Sequence, residues 1–311
     1  MRILVIARSY PSGEHQNWVQ EQIDELRLRG HEVDTLAHPR GGVIGYIQYL
    51  LKTQRIFHRK DFAQYDLVHA HHGPGGTLAT LQSKVPVVVT YHGGDINFMP
   101  RVYSQRSLEQ ADAHIFVTQQ MADRTDVEEY DIIPCGFDHR IFTPGSKEAS
   151  RAHLNWDAHA PIIAFAGRFS VLRKNVALAQ PAADLAGVEL KELRGYSRED
   201  VAHVFRAADG LVLTSHSEGS PVVIREALAV GCPVVSVDVA DTPITLSGIP
   251  GCYIVERTPE SVAAGIRKVV EAGGRLDFST YNRMNHSLKR TVDRMETVFE
   301  RVLDQKDHVA T

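Results

Sequence analysis

Residues 214–237 read TSHSEGSPVVIREALAVGCPVVSV: a strand end, a Gly/Ser/Pro turn, a short helix and a second strand in two dozen residues. Ser220 is a favourable helix cap, and Pro221 suits the first helical position, where its missing N–H costs nothing. A helix opening at Pro221 leaves the N–H groups of Val222, Val223 and Ile224 without intrahelical acceptors. They lie at the positive end of the helix dipole, where a phosphate is stabilised. Glu218 stands just before this turn, and Glu226 lies one to two turns into the helix. Gly231 ends the helix with a residue tolerant of the left-handed conformation. The run Val234, Val235, Ser236, Val237 then reads as a buried parallel strand.

Outward from this stretch, the same alternation of strand and helix fills the chain. RILVIA (2–7) reads as a strand, and 18–29 as an amphipathic helix with Val19, Ile23 and Leu26 on one face, stopped by Gly30. HEVDTLA, DLVHAHH, VPVVVTYH, AHIFVT and DIIP follow as strands, with helical stretches between them. Near Pro134 the pattern stops. The segment CGFDHRIFTPGS (135–146) is rich in turn formers and reads as a linker. A second series then begins with PIIAFAG, VELKEL, DGLVLTS, the opening stretch and GCYIV, again separated by helices. Helices are expected at 259–272 and, strongly charged, at 287–303.

The fold class expected from this order is α/β: two Rossmann-like, doubly wound parallel-sheet domains with right-handed crossovers. They are placed at 1–143 and 144–286, with a C-terminal helix at 287–311 free to return to the first domain. Open parallel sheets bind ligands at the carboxyl ends of their strands, so two facing sheets are expected to enclose a central cleft.

Composition narrows the function by exclusion. The chain has 311 residues, 43% hydrophobic and 23% charged, with a formal net charge of −4. A nucleic-acid binder would usually carry a basic excess, so none is expected as a partner. Cys135, Cys232 and Cys252 are far apart, odd in number and outside metal-ligand spacing, which suits a reduced, cytoplasmic protein. The apolar start at 3–7 is too short for a signal h-region or a membrane span, and no later stretch approaches the ~20 apolar residues that crossing requires. The helix at 43–60 sets Ile44, Ile47, Leu50 and Leu51 beside Lys52, Arg55, His58, Arg59 and Lys60. Burial of that apolar face on its sheet is the favoured reading, with peripheral contact to an anionic bilayer as the alternative.

Several motifs, taken in order, resemble those of retaining, nucleotide-sugar-dependent glycosyltransferases of family 4, which have the two-Rossmann GT-B architecture. Glu218 to Glu226, EGSPVVIRE, matches that family's Glu-x7-Glu pattern, and the family's Ala-Leu-Ala-x-Gly-x-Pro-Val-Val follows it. RGHEV (29–33), LVHAHHG (67–73), VVVTYHGGDIN (87–97), IIPCGFDHRIFTP (132–144) and AGRFSVLRKN (166–175) match as well, so the resemblance spans nearly the whole chain.

The resemblance implies roles. Glu218 would meet hydroxyls of the donor sugar and Glu226 the ribose of the nucleotide, since a carboxylate accepts two strong hydrogen bonds and suits a vicinal diol. Arg168 and Lys174 would bind the diphosphate, with Arg173 a rival for the lysine's place and Gly167 beside them. They would neutralise charge on the departing nucleotide, together with the helix end at Gly219, Ser220, Pro221, Val222 and Val223. His92, followed by Gly93 and Gly94, would hydrogen-bond the donor sugar. Catalysis is thus assigned to Glu218, His92, Arg168 and Lys174. Asp95 and Asn97 would orient His92 or meet the acceptor, and Gly13 and Asn17 lie in the loop at 10–17 chosen for acceptor recognition.

Three departures qualify these roles. The loop after the first strand has one glycine, Gly13, where the family often has two. The segment 188–200 is compressed and lacks the family's Gly-Asp/Glu-Gly turn, so the nucleotide base is unspecified, with Leu193 to Tyr196 its expected wall. No Asp-x-Asp pair ends a strand, and Asp238 and Asp241 are too widely spaced to replace one. No metal and no cofactor are therefore expected, and His69 and His71, although on one strand face, read as strand packing and cleft lining.

The expected reaction moves a hexosyl or N-acetylhexosaminyl group from a nucleotide diphosphate sugar to a hydroxyl acceptor with retention. Two alternatives stay open: a nucleotide-sugar epimerase of the same architecture, and a non-catalytic nucleotide-binding or dehydrogenase-like protein. Against the last, neither domain carries Gly-x-Gly-x-x-Gly after its first strand.

Overall fold

A computed structural model describes residues 1–8, 17–38, 43–59, 61–97, 99, 101–276 and 286–310. The chain divides into two compact units, 1–135 with 288–311, and 136–287.

The first unit is a six-stranded parallel sheet. Its strands are β1 (Arg2–Arg8), β2 (Glu32–His38), β3 (Leu67–His71), β4 (Val87–Tyr91), β5 (Ala113–Phe116) and β6 (Asp131–Ile132), in the order β2-β1-β3-β4-β5-β6. Every residue of β3 and β4 is buried, as expected of strands covered on both faces. Helix α1 (Asn17–Leu28) lays Val19, Ile23 and Leu26, each 1% exposed, against Ile3 and Val5. Gly30 then turns the chain with φ 87°. The C-terminal helix Leu288–Ala310 belongs to this unit, because Leu288, Val292, Met295 and Phe299 complete the same core. Arg29 ties the helix down through Asp293 (2.7 Å) and Glu296 (2.5 Å). Helix α2 (Val43–Phe57) buries Tyr49 and Phe57 while Leu51 is 53% exposed. The side chains of Ile44 and Ile47, and Lys60, lie outside the described residues.

The second unit is a five-stranded parallel sheet: β7 (Ile162–Phe165), β8 (Glu189–Glu192), β9 (Gly210–Leu213), β10 (Val234–Val237) and β11 (Tyr253–Val255), in the order β11-β10-β9-β7-β8. In sequence, the two compact units meet at 135/136. Phe137 and Phe142, both fully buried, sink into the core of this second unit, and Phe137 pairs with Ser287 at the segment's other end. The aperiodic linker is therefore held by two aromatic anchors.

Candidate functional site

In the second unit, two turns at the carboxyl ends of β7 and β9 are laced together. The first runs through a 3-10 turn, Leu172–Lys174, into Asn175, whose φ of 58° is left-handed. The second leads from Thr214 to Pro221. The Thr214 hydroxyl lies 3.1 and 3.0 Å from the carbonyl oxygens of Lys174 and Asn175, and the His216 N–H donates to the Arg173 carbonyl at 2.9 Å. Arg257 donates to the carbonyls of Ser215 and Asp238, both at 2.8 Å, and so braces the second turn from the β10 side.

This lacing brings together residues more than forty positions apart. Lys174 Nζ lies 2.8 Å from Glu218 Oε1, Arg173 Nη1 lies 2.7 Å from Oε2, and the Ser215 hydroxyl donates to Oε1 at 2.7 Å. The Glu218 side chain is only 9% exposed. Burial by itself would raise its carboxyl pKa. The charges of Lys174 and Arg173, with hydrogen bonds from Lys174 and Ser215, outweigh that and hold the carboxyl below its ordinary value. Sequence reasoning preferred Lys174 to Arg173, and the structure brings both to the same carboxylate. Gly167 is needed for this: a Cβ there would sit 2.7 Å from Lys174 Cγ. Arg168 is exposed and, among the described residues, forms no ion pair.

The helix of the opening stretch differs from expectation at its start. Helix α3 (Val222–Ala229) begins one residue late, with Pro221 as its cap, and Ser220 does not cap it. The Ser220 hydroxyl instead donates to Asp241 Oδ2 at 2.9 Å and accepts from Arg225 Nη1 at 2.8 Å. Arg225, 2% exposed, turns inward and pairs with Asp241. The Ile224 N–H donates to the Pro221 carbonyl at 3.1 Å, so it is not open to a ligand. Val222 and Val223 remain at the start, where an α-helix supplies no acceptor. Gly219 lies within the turn between Glu218 and Ser220.

Glu226, 5% exposed, accepts from Arg198 Nη2 at 2.7 Å, and the Arg198 guanidinium lies 4.7 Å from the centre of the Phe142 ring. Leu193 and Tyr196 are half-buried on this unit's core, and the Leu193 N–H donates to the Gly167 carbonyl at 2.9 Å. The segment expected beside the base is thus tied to the turn that carries Lys174.

In the first unit, β3 and β4 deliver histidines to their carboxyl ends. His92 Nε2 lies 3.0 Å from His71 Nδ1, His92 Nδ1 lies 3.6 Å from Cys135 Sγ, and the Trp18 ring lies 4.1 Å away, centre to centre. Burial, reinforced by His72 and His69, pushes the His92 pKa well below its ordinary value, so the ring is neutral. Asp95, 2% exposed, is a backbone clamp: Oδ1 accepts the N–H groups of His92 (3.2 Å) and Gly93 (2.9 Å), and Oδ2 that of Gly73 (2.9 Å). Asn97 Oδ1 accepts from Arg124 at 2.6 Å. His69 bonds Thr90 Oγ1 at 2.9 Å, and burial lowers its pKa to about 3. Among the described residues, no group of three or more His, Cys, Asp or Glu is arranged to hold a metal ion. Gly13 lies outside the described residues. Asn17 opens α1.

Sequence reasoning missed Ser215, Arg198, Arg225, Asp241, His71 and Cys135 as members of these networks. Arg225 and Asp241 carried one faint signal, opposite charges in a stretch otherwise apolar enough to be buried.

Comparison with known proteins places this geometry in a family. Residues 5–141 match the description Glycosyltransferase Family 4, and residues 166–272 match Glycosyl transferases group 1. A D-inositol 3-phosphate glycosyltransferase of Mycolicibacterium gilvum is 30% identical over 305 residues, covering 79% of this chain and 68% of the relative. For a second such enzyme, from Mycolicibacterium smegmatis, identity is 30% over 243 residues, and the match covers 61% of this chain but 56% of that protein's length. In fold, the chain is similar to sucrose-phosphate synthase from Thermosynechococcus elongatus, with a TM-score of 0.73, 19% identity, and coverage of 100% and 98% of the two chains. Anabaena HepE in complex with UDP is similar with a TM-score of 0.72, 16% identity, and coverage of 96% and 100%. The two Rossmann-like parallel-sheet units are those of the GT-B architecture, and the chain belongs to glycosyltransferase family 4.

Proposed function

We propose that the chain transfers a hexosyl or N-acetylhexosaminyl group from a nucleotide diphosphate sugar to a hydroxyl acceptor, with retention of anomeric configuration. The observation that carries this reading is Glu218, a buried carboxylate held ionised by Lys174, Arg173 and Ser215 beside the start of α3. An ionised carboxylate next to two cations and open helix N–H groups offers one acceptor for sugar hydroxyls and several positive groups for a diphosphate. On donor binding, Lys174 and Arg173 would turn from Glu218 toward the phosphates, joined by the exposed Arg168. The bond from the anomeric carbon to the phosphate oxygen breaks as the acceptor oxygen attacks from the same face. The leaving phosphate takes the acceptor's proton, and the cations neutralise the charge it gains.

Glu226 is assigned to the ribose and His92 to the donor sugar by family resemblance. UDP is the first nucleotide to test, because solved structures of HepE contain UDP and UDP-glucose. D-inositol 3-phosphate, named in the relatives' descriptions, belongs in the first acceptor panel. Release of nucleoside diphosphate, followed across a panel of sugar nucleotides with and without acceptors, tests the reading. Transfer that depends on one donor and disappears in Glu218→Ala is expected, whereas a Glu218→Ala protein with full turnover overturns the site. Product formed from the donor alone, without acceptor, would indicate an epimerase. For the described residues, no helix is long and apolar enough to cross a membrane. Peripheral contact through α2 is a further part of the proposal, and failure to sediment with anionic liposomes would remove it.

A further inference from the structure

We propose that Cys135 and His71 are positioning residues that hold His92 as one tautomer, with the Cys135 thiol donating to Nδ1 and the protonated Nε2 donating to His71 Nδ1. Both ring nitrogens of His92 face protein partners, Cys135 Sγ at 3.6 Å and His71 Nδ1 at 3.0 Å. A neutral imidazole has one donor and one acceptor nitrogen, so the two contacts run in opposite senses. Burial among other histidines keeps the ring neutral, which removes the case in which both nitrogens donate.

The chemistry of sulfur chooses between the two senses that remain. A thiol is a weak donor and its sulfur a weak acceptor, whereas an imidazole lone pair accepts well. With S–H pointing to Nδ1, the weak donor meets the strong acceptor, and the His92 N–H is kept for the strong acceptor on His71. The reverse arrangement gives the imidazole N–H to sulfur. The ring has little freedom to avoid this choice. The Trp18 ring packs against it at 4.1 Å, tilted by 45°, its backbone N–H and that of Gly93 are taken by Asp95 Oδ1, and the His71 ring is stacked 5.2 Å away at 21°. A sugar hydroxyl that bonds His92 must displace one of these two contacts; the weaker, from the Cys135 thiol, yields first and leaves Nδ1 as an acceptor already assigned, the kind of preorganisation that fixed partners provide.

The catalytic weight of this inference rests on the proposed contact of His92 with the donor sugar, but the tautomer itself does not. Two-bond 1H–15N correlation spectra of the full chain labelled at histidine nitrogen report which ring nitrogen is protonated, with His92→Gln identifying the signals. The expected wild-type state is predominantly Nε2–H, and Cys135→Ser, which keeps a donor, leaves it so. In Cys135→Ala the ratio of Nε2–H to Nδ1–H falls about fivefold, the worth of one modest net hydrogen bond. A wild-type His92 protonated at Nδ1, or a ratio unchanged in Cys135→Ala, overturns the proposal. In turnover, Cys135→Ala is expected to lower kcat with little change in donor KM, and Cys135→Ser to restore it. A shifted tautomer with undiminished kcat would uphold the positioning and count against the donor-sugar role of His92.

Discussion

Replacing Glu218 by Gln separates two roles that one carboxylate plays. In the unliganded protein it pairs with Lys174 at 2.8 Å and Arg173 at 2.7 Å, the cations that the proposed reaction needs for the diphosphate. Carboxylate and diphosphate therefore compete for them. A hydrogen bond to a charged group contributes about 1.5–3 kcal/mol, and the amide keeps part of it. The Lys174 side chain, 17% exposed, retains most of that strength, while the Arg173 pair, 44% exposed, is discounted for solvent screening. The substitution then relieves about 1–2 kcal/mol of competition, which tightens nucleoside diphosphate binding about 5- to 30-fold. Turnover moves the other way, falling about 10²- to 10³-fold with the loss of a charged contact to the reacting sugar. Two cations left without their partner also cost the unliganded fold about 1–2 kcal/mol, or roughly 3–6 °C in the melting of a unit of this size. Titration calorimetry with UDP, steady-state release of nucleoside diphosphate and thermal melting measure the three effects. Weaker UDP binding together with preserved turnover would refute the competition and the assignment of Glu218.

Acid sensitivity follows from the same residue. Because the Glu218 carboxyl is held below its ordinary value, its stabilisation is present above the unfolded-state pKa of about 4.3 and is lost as pH falls through the folded value. Urea midpoints of the wild type should therefore fall more steeply on acidification than those of Glu218→Gln, and parallel slopes would contradict this. Gly167→Ala places a methyl group 2.7 Å from Lys174 Cγ, so it should displace that side chain, weaken UDP binding and cost about 1–3 kcal/mol by overpacking. Calorimetry indistinguishable from wild type would show that Lys174 has another path. Arg225→Met leaves Asp241 uncompensated and should cost about 3–5 kcal/mol, whereas adding Asp241→Leu should recover much of it, since an apolar pair can replace a buried ion pair. Among the described residues, Arg225 Nε and Asp241 Oδ1 are buried without a hydrogen-bond partner. Strictly additive losses in chemical denaturation would mean that the two residues are not coupled.

The fold could be read from periodicity because parallel strands covered on both faces must be continuous apolar runs, and β3, β4, β9 and β10 are fully buried as such runs. The α1 face of Val19, Ile23 and Leu26 was readable for a related reason, as one side of a 3.6-residue repeat has to meet a core. The resemblance to family 4 motifs pointed to Glu218, Glu226 and Lys174; the turn and helix joining Glu218 to Glu226 are local, whereas Lys174 meets Glu218 only through the lacing of two turns. The linker was harder: Phe137 and Phe142 sit among turn formers, and only long-range packing shows that they anchor the second unit.

Partner choice inside the site was beyond local pattern. Ser220 has the chemistry of a helix cap, yet an inward-turned Arg225 and an Asp241 sixteen residues further on claim its hydroxyl. Asp95 was expected to orient His92 or meet the acceptor; that its oxygens take three backbone N–H groups, that of His92 among them, could not be read from the local pattern. Cys135 stood in an unremarkable turn, yet it reaches a histidine forty-three residues away. The sequence by itself determined the elements, their order and the residue types at the strand ends, because these follow from periodicity and local backbone preference. Only the tertiary structure decided which polar groups satisfy one another, because a buried donor or acceptor takes whichever partner the packing of distant segments brings within about 3 Å.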